Sequence, residues 1–165
     1  MDEKLPFIPE SFDHVVSSYA IYYAEDVCAI LEEIKRVLKP AGKVLLIGPT
    51  DRNAEELYAF NENMFGFKRD GKVTIRTNRL EKEFYPAMVK AFSRAISEKI
   101  DSKLIFPNKD EFLKYYRATL LFEESVKKAG YEPSYTELSS INFPALEISK
   151  EIIVIRGEKS EVLEV

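Results

Sequence analysis

Apolar positions along this chain follow two different periods, and each period marks a different element. Between Phe12 and Ser18 a short apolar centre, Val15 and Val16, sits among polar residues and predicts a strand. Asp26 then precedes Val27, Ile30, Leu31, Ile34, Val37 and Leu38, which is the spacing of one helical face behind an N-cap. Lys39, Pro40 and Gly42 stop that helix. KVLLIG, Lys43 to Gly48, is apolar without alternation, and such a strand belongs inside a parallel sheet covered by helices. Strand, helix and strand make one βαβ unit.

The pattern continues with a helix over Arg52–Asn63 and a loop or hairpin over Gly66–Asn78, which is polar and carries glycines. Glu81–Ile100 reads as a helix with a stripe at Phe84, Met88, Phe92, Ile96 and Ile100. Asn108 and Glu111 have capping-box spacing before another helix. A break near Ala118–Thr119 separates it from a helix that ends at Gly130 and carries Phe122, Val126 and Ala129 on one side. Ser134–Ile141 alternates like a strand, and KEIIVIR, Lys150–Arg156, is the last strand. The expectation is a single α/β domain over residues 1–157. Residues 52–118 form an inserted helical block over the ligand-binding ends of the strands, and 158–165 form a loose tail.

Composition narrows the function classes. Of 165 residues, 45% are hydrophobic and 32% charged, which suits a globular chain with a core. A net charge of -4 argues against a general nucleic-acid binder. No apolar run is long enough to span a bilayer, and MDEKLPF does not open like a signal peptide, so a cytoplasmic protein without a membrane partner is expected. One cysteine, Cys28, excludes an internal disulfide and reads as a buried structural thiol. With His14 as the single histidine there are too few soft ligands for a zinc site, and no metal is expected.

Three stretches in this order resemble a known family: LPFIPESFDHVVSSYAIYY, EEIKRVLKPAGKVLLIGP and FEESVKKAGYEPSYTEL. They are similar to the C-terminal part of class I S-adenosylmethionine-dependent methyltransferases, of the small-molecule branch called methyltransferase type 11. Leu5-Pro6-Phe7, Ser11-Phe12-Asp13, Arg36 to Gly42 and Ala129-Gly130-Tyr131 carry the likeness, over about residues 1–50 and 120–157. The resemblance implies a partial Rossmann-like, doubly wound sheet with S-adenosylmethionine as cofactor and a small molecule as methyl acceptor. The family's glycine-rich turn has no counterpart here, because no two of the six glycines form G-x-G. Without the strand that neighbours it in the family, His14–Ser18 becomes a sheet edge, an aggregation hazard that upstream chain, a second copy or a partner chain would cover, unless the piece packs differently. A fragment, a natural truncation that pairs with a partner, and a standalone domain without catalysis all fit that reading. A non-catalytic subunit or interaction module is therefore the alternative to an enzyme.

The resemblance also supplies site residues. Asp2, with Glu3 as a weaker substitute, stands near the acidic position that accepts from the adenine amino group. Ser17, Ser18 and Tyr19 follow the strand centre at its carboxyl end, where an open α/β sheet binds ligands, and would touch the cofactor. Tyr22 and Tyr23 stand where relatives have histidines, and a phenol there would orient the acceptor or, with a lowered pKa, take its proton. Their bland counterpart is an aromatic pair packed under the cap. Thr50 and Asp51 read as helix caps, with acceptance of a substrate hydrogen bond as the alternative for Asp51. The basic run Lys68, Arg69, Lys72, Arg76, Arg79 and Lys82 reads as a solvated face, or as a receiver for a substrate anion. Tyr115, Tyr116 and Arg117 line a substrate pocket or simply pack.

Overall fold

β1 (Phe12–Ser18) and β2 (Leu38–Pro49) pair in parallel around α1 (Val27–Val37), in a computed structural model that describes residues 4–142 and 146–161. Asp26 caps α1 as its spacing predicts, with Oδ1 accepting from the Ala29 N–H at 3.0 Å. Val15 pairs with Val44 and Ser18 with Ile47. Sheet order is β1-β2-β4-β3, with β3 at Arg94–Ile105 and β4 at Glu147–Glu158, and β4 runs antiparallel to β2.

Backbone packing divides the chain into two compact units. The first comprises the described residues of Met1–Asp51, Lys72–Ile100 and Glu151–Val165, and the second those of Arg52–Gly71 and Asp101–Lys150. The core of the first unit joins one sheet face, Val44, Leu46, Ile153 and Ile155, to Ile30, Leu31 and Ile34 of α1 and to Leu80, Phe84 and Met88. Gly48 and Gly157 make room for that last group. A methyl on Gly48 would come within 3.0 Å of the Tyr22 ring and closer still to Leu80, and one on Gly157 would meet Met88 at 2.5 Å. The second unit contains α2 (Glu55–Phe65), α5 (Lys109–Arg117), α6 (Leu120–Ala129) and α7 (Tyr135–Ser140). Its core is aromatic: Phe60, Phe112, Tyr116 and Phe122 are buried together, and the Tyr116 hydroxyl donates to Asn61 at 2.7 Å.

Several sequence expectations need correction. Gly66–Asn78 is not a loop throughout, since α3 (Gly71–Arg79) begins inside it. The helix expected over Glu81–Ile100 stops early. It consists of a π-helical turn, Leu80–Phe84, and α4 (Tyr85–Ala91), and from Arg94 the chain is strand β3. The block 52–118 is therefore not wholly helical. Phe84, Met88 and Phe92 do form a buried stripe, but Ile96 and Ile100 lie on a strand and are exposed. A spacing of four fits one helix face and, being a multiple of two, also one strand face. The π turn ends two residues before Pro86, which has no N–H to give the helical ladder. Ser134–Ile141 is the short helix α7 rather than a strand, because Ser134 and Glu137 close a reciprocal capping box. Cys28 is exposed, one position off the buried stripe of α1. The expected loose tail is tied down at its start, where the Lys159 N–H donates to Gly42 O at 2.9 Å and Nζ to Leu38 O at 2.7 Å.

Leu5–Phe7 is fastened to α1 by one charged pair. Arg36 Nη1 donates to Phe7 O at 2.9 Å and Nη2 to Leu5 O at 3.1 Å, while the Leu5 N–H donates to Glu33 at 3.0 Å. The hydrogen bond from Arg36 holds the Glu33 carboxyl below its ordinary value, with the Leu5 N–H adding to the effect. A carboxyl depressed on folding stabilises the folded state above its unfolded value and loses that contribution as pH falls through the folded one. Amide-exchange protection at Leu5 should therefore hold at neutral pH and fall below about pH 4, where carboxylates start to protonate. In Glu33→Gln it should be low at every pH.

Candidate functional site

The chain leaves β1 through a tight and well-braced turn. Tyr19 adopts left-handed backbone angles, φ 54°, yet its N–H still donates to Ile47 O of β2 at 2.8 Å. A single 3-10 turn, Ile21–Tyr23, follows and closes on Ala24. This turn lies beyond the carboxyl end of β1, beside the carboxyl end of β2, where open α/β sheets bind their ligands.

Alternation along β1 separates the two candidate serines. Ser17 is half-buried on the core face with Val15, while Ser18 is exposed on the face of His14 and Val16. Tyr19 and Tyr23 are exposed. Tyr22 is buried at 7% exposure in the main core, with its ring 4.8 Å from that of Tyr23. Burial pushes the Tyr22 phenol above its ordinary value, the neighbouring Tyr23 adds to this, and Arg76 opposes it. Tyr19 is likewise raised by burial. Neither Tyr19 nor Tyr22 is thus tuned as a base. A protonated Tyr22 can donate a hydrogen bond or pack, and its burial favours packing. Asp2 and Glu3 lie outside the described residues.

Arginines of α3 brace the turn. Arg79 Nη1 donates to Tyr22 O at 2.9 Å and also to Ala24 O. Its Nε meets Glu83 at 2.8 Å and its guanidinium lies over the Phe84 ring. One helical turn earlier, Arg76 stacks on Tyr23 at 4.9 Å from the ring centroid. The basic run is therefore not one solvated face. The i, i+3 spacing of Arg76 and Arg79 was the available signal, but it lay hidden because 66–78 read as a loop.

At the end of β2, Thr50 does not cap a helix. Its hydroxyl donates to Glu151 of β4 at 2.5 Å, and both residues are buried. α2 starts instead behind Ala54, in left-handed conformation. Lys99 Nζ pairs with Glu81 at 2.9 Å, and that hydrogen bond raises its pKa, with Glu151 and Asp51 contributing. Nothing in the spacing announced the Thr50–Glu151 pair, whose members are 101 residues apart. In the second unit, Tyr116 is core, Tyr115 accepts from Lys150 at 3.2 Å and Arg117 pairs with Glu132. That is packing rather than a shared pocket. A cavity of about 460 Å³ opens elsewhere, lined by His14, Val16, Lys43, Leu45, Arg94 and Arg156, and none of its lining residues belongs to the Tyr19–Ala24 turn.

Similarity to known proteins covers the strand-turn region together with much of the rest of the chain. Residues 2–46 match the family model of the methyltransferase domain. Demethylmenaquinone methyltransferase of Bacillus velezensis is 31% identical over 62 residues, 38% of this chain and 25% of that protein. The ubiquinone/menaquinone biosynthesis C-methyltransferase UbiE of Rickettsia peacockii is 27% identical over 138 residues, 83% of this chain and 46% of its own length. The chain thus covers less than half of either relative. Among solved structures, YcgJ of Bacillus subtilis superposes with a TM-score of 0.53 at 19% identity, over 98% of this chain and 69% of that one, which shows a shared Rossmann-like α/β fold. No helix among the described residues is long and apolar enough to cross a membrane.

Arg79→Gln should remove both carbonyl bonds and leave Tyr22 O and Ala24 O unpaired. Urea unfolding is expected to show a loss of about 1–3 kcal/mol. Amide exchange at Tyr23 and Ala24 should accelerate more than exchange along α1. Arg79→Lys should restore only part of the protection, since an ammonium lacks the guanidinium fork.

Proposed function

We propose that this chain, whose residues 2–46 carry the signature of a class I S-adenosylmethionine-dependent methyltransferase, takes part in methyl transfer from that cofactor to a small-molecule acceptor around the Tyr19–Ala24 turn. One observation carries the reading: the matched segment ends its first strand in a braced turn, at the sheet end where ligands of this fold class bind. Ser18 and the exposed rings of Tyr19 and Tyr23 suit contact with the cofactor's methionine end and with a planar acceptor. No G-x-G occurs among the six glycines, so the residues present fit one side of the cofactor only. When bound, the cofactor supplies a methyl group already activated on a sulfonium. The chain's own task is then to align the acceptor and exclude water. Tyr22, held protonated by burial, serves in this reading as a donor or a support for Tyr23 rather than as a base. The two curated relatives are named for methylation in quinone biosynthesis, which favours an aromatic acceptor.

A second reading has its own support. Among the described residues β1 pairs only with β2, and Val16 on it is 62% exposed. Such an edge favours pairing with another chain or a second copy. In that reading the chain is a methyltransferase-like subunit without catalysis of its own.

Calorimetric titration with S-adenosylhomocysteine, run with a mass measurement in solution, separates the two. The enzyme reading expects saturable binding that Tyr19→Ala weakens roughly two- to tenfold, the scale of losing one ring's packing contact. A folded chain that binds none of it, and whose mass is that of a dimer, supports the subunit reading and removes the enzyme reading for this chain alone.

A further inference from the structure

Arg76 differs from the other half-buried arginines of its unit. Arg36 meets Glu33 at 2.8 Å, and Arg79 meets Glu83 at 2.8 Å while donating to two carbonyls. Among the described residues Arg76 meets no carboxylate and no carbonyl. Its one close contact is the face of the exposed Tyr23 ring. Partial burial strips a guanidinium of water, and without a counter-charge that loss is not recovered. Its position is not that of a wandering surface side chain either. Arg79, three residues on, pins the same helix to the same turn, so Arg76 is held above Tyr23. Its charge reaches the Tyr22 phenol as well. A planar cation stacked on a ring, with its donors unused, is a receptor for an oxyanion attached to a flat group: the fork takes two oxygens, and the exposed side chains of Tyr19 and Tyr23 belong to the same turn.

We infer that Arg76, stacked on Tyr23, binds a carboxylate or phosphate carried by an aromatic acceptor. The inference rests on the proposed placement of the acceptor at this turn. It adds a requirement that placement alone does not make: a neutral acceptor of the same shape is a poor ligand.

The test uses three probes on the 165-residue chain: benzoate, phenyl phosphate and the neutral benzyl alcohol, each titrated by calorimetry and by the Arg side-chain Nε–Hε signals in nitrogen-15 NMR. Saturable binding of benzoate or of phenyl phosphate is expected, at least tenfold tighter than benzyl alcohol, and whichever binds identifies the oxyanion. Arg76→Gln should weaken that binding at least tenfold, Arg76→Lys should weaken it less, and Lys82→Gln, an exposed cation of the same basic run, should leave it unchanged. Thermal unfolding of each variant confirms that the fold is kept. Equal binding of all three probes, no binding of either oxyanion, or undiminished binding by Arg76→Gln overturns the inference. So does a variant that loses only S-adenosylhomocysteine while keeping methylthioadenosine, since Arg76 would then hold the cofactor's own carboxylate. Oxyanion binding by a chain that ignores S-adenosylhomocysteine sinks the methyl-transfer reading and leaves the anion site standing.

Discussion

Parallel pairing of β1 with β2 is the constraint from which the rest follows. Parallel neighbours cannot be joined by a tight turn, so the chain must cross the sheet and return. α1 makes that crossing, and its stripe of Ile30, Leu31 and Ile34 gives the sheet's inner face a partner. Once the register is set, Val15 against Val44 and Ser18 against Ile47, the carboxyl ends of both strands finish side by side. The Tyr19–Ala24 turn is placed by that register, and the Thr50–Glu151 pair by the antiparallel register of β2 with β4, rather than by local preference.

The turn itself is short of intrinsic stability. A left-handed Tyr19 and a single 3-10 turn bring few hydrogen bonds of their own, so order must come from outside. It comes from below through Tyr22, which fits against Gly48 because that residue has no side chain, and from α3 through Arg79. A rigid turn between two supports presents Tyr23 outward with little freedom to lose on binding. Arg76 gains its fixed position from the same arrangement, and an anchoring arginine and a free one on one helix face thus perform different tasks.

What the sequence made legible was the part governed by local chemistry. The cap at Asp26, the stripe of α1, the break at Ala118–Thr119 and the stop at Gly130 all rest on contacts a few residues apart, and all stand. Misreadings arose where two periods share a multiple or where a local signal was outvoted. Ile96 and Ile100 continue the spacing of Phe84, Met88 and Phe92, but the helix had already ended. Ser134–Ile141 alternates, yet two capping hydrogen bonds fixed its backbone as a helix. The candidate turn is legible only in its membership: Tyr19, expected against the cofactor, and Tyr22 and Tyr23, expected at the acceptor, lie in one turn, whereas the contacts of Arg79 and Glu151 depend on residues 55 to 101 positions away. No window of sequence contains that information.

Burial of Tyr22 has a consequence for the chemistry the turn supports. A phenol raised above its ordinary value in a partly dry site stays protonated at neutral pH, so it takes no proton there and keeps its O–H as a hydrogen-bond donor. On the proposed reading, then, proton removal falls to the acceptor's own acidity or to water, and the turn contributes geometry. That division of labour suits an activated methyl donor, whose transfer needs a nucleophile in line more than it needs a base. An acceptor anchored through an oxyanion on Arg76 would be held by its far end while its nucleophile is aimed. The binding energy of the remote group would then act where alignment, not proton transfer, limits the reaction.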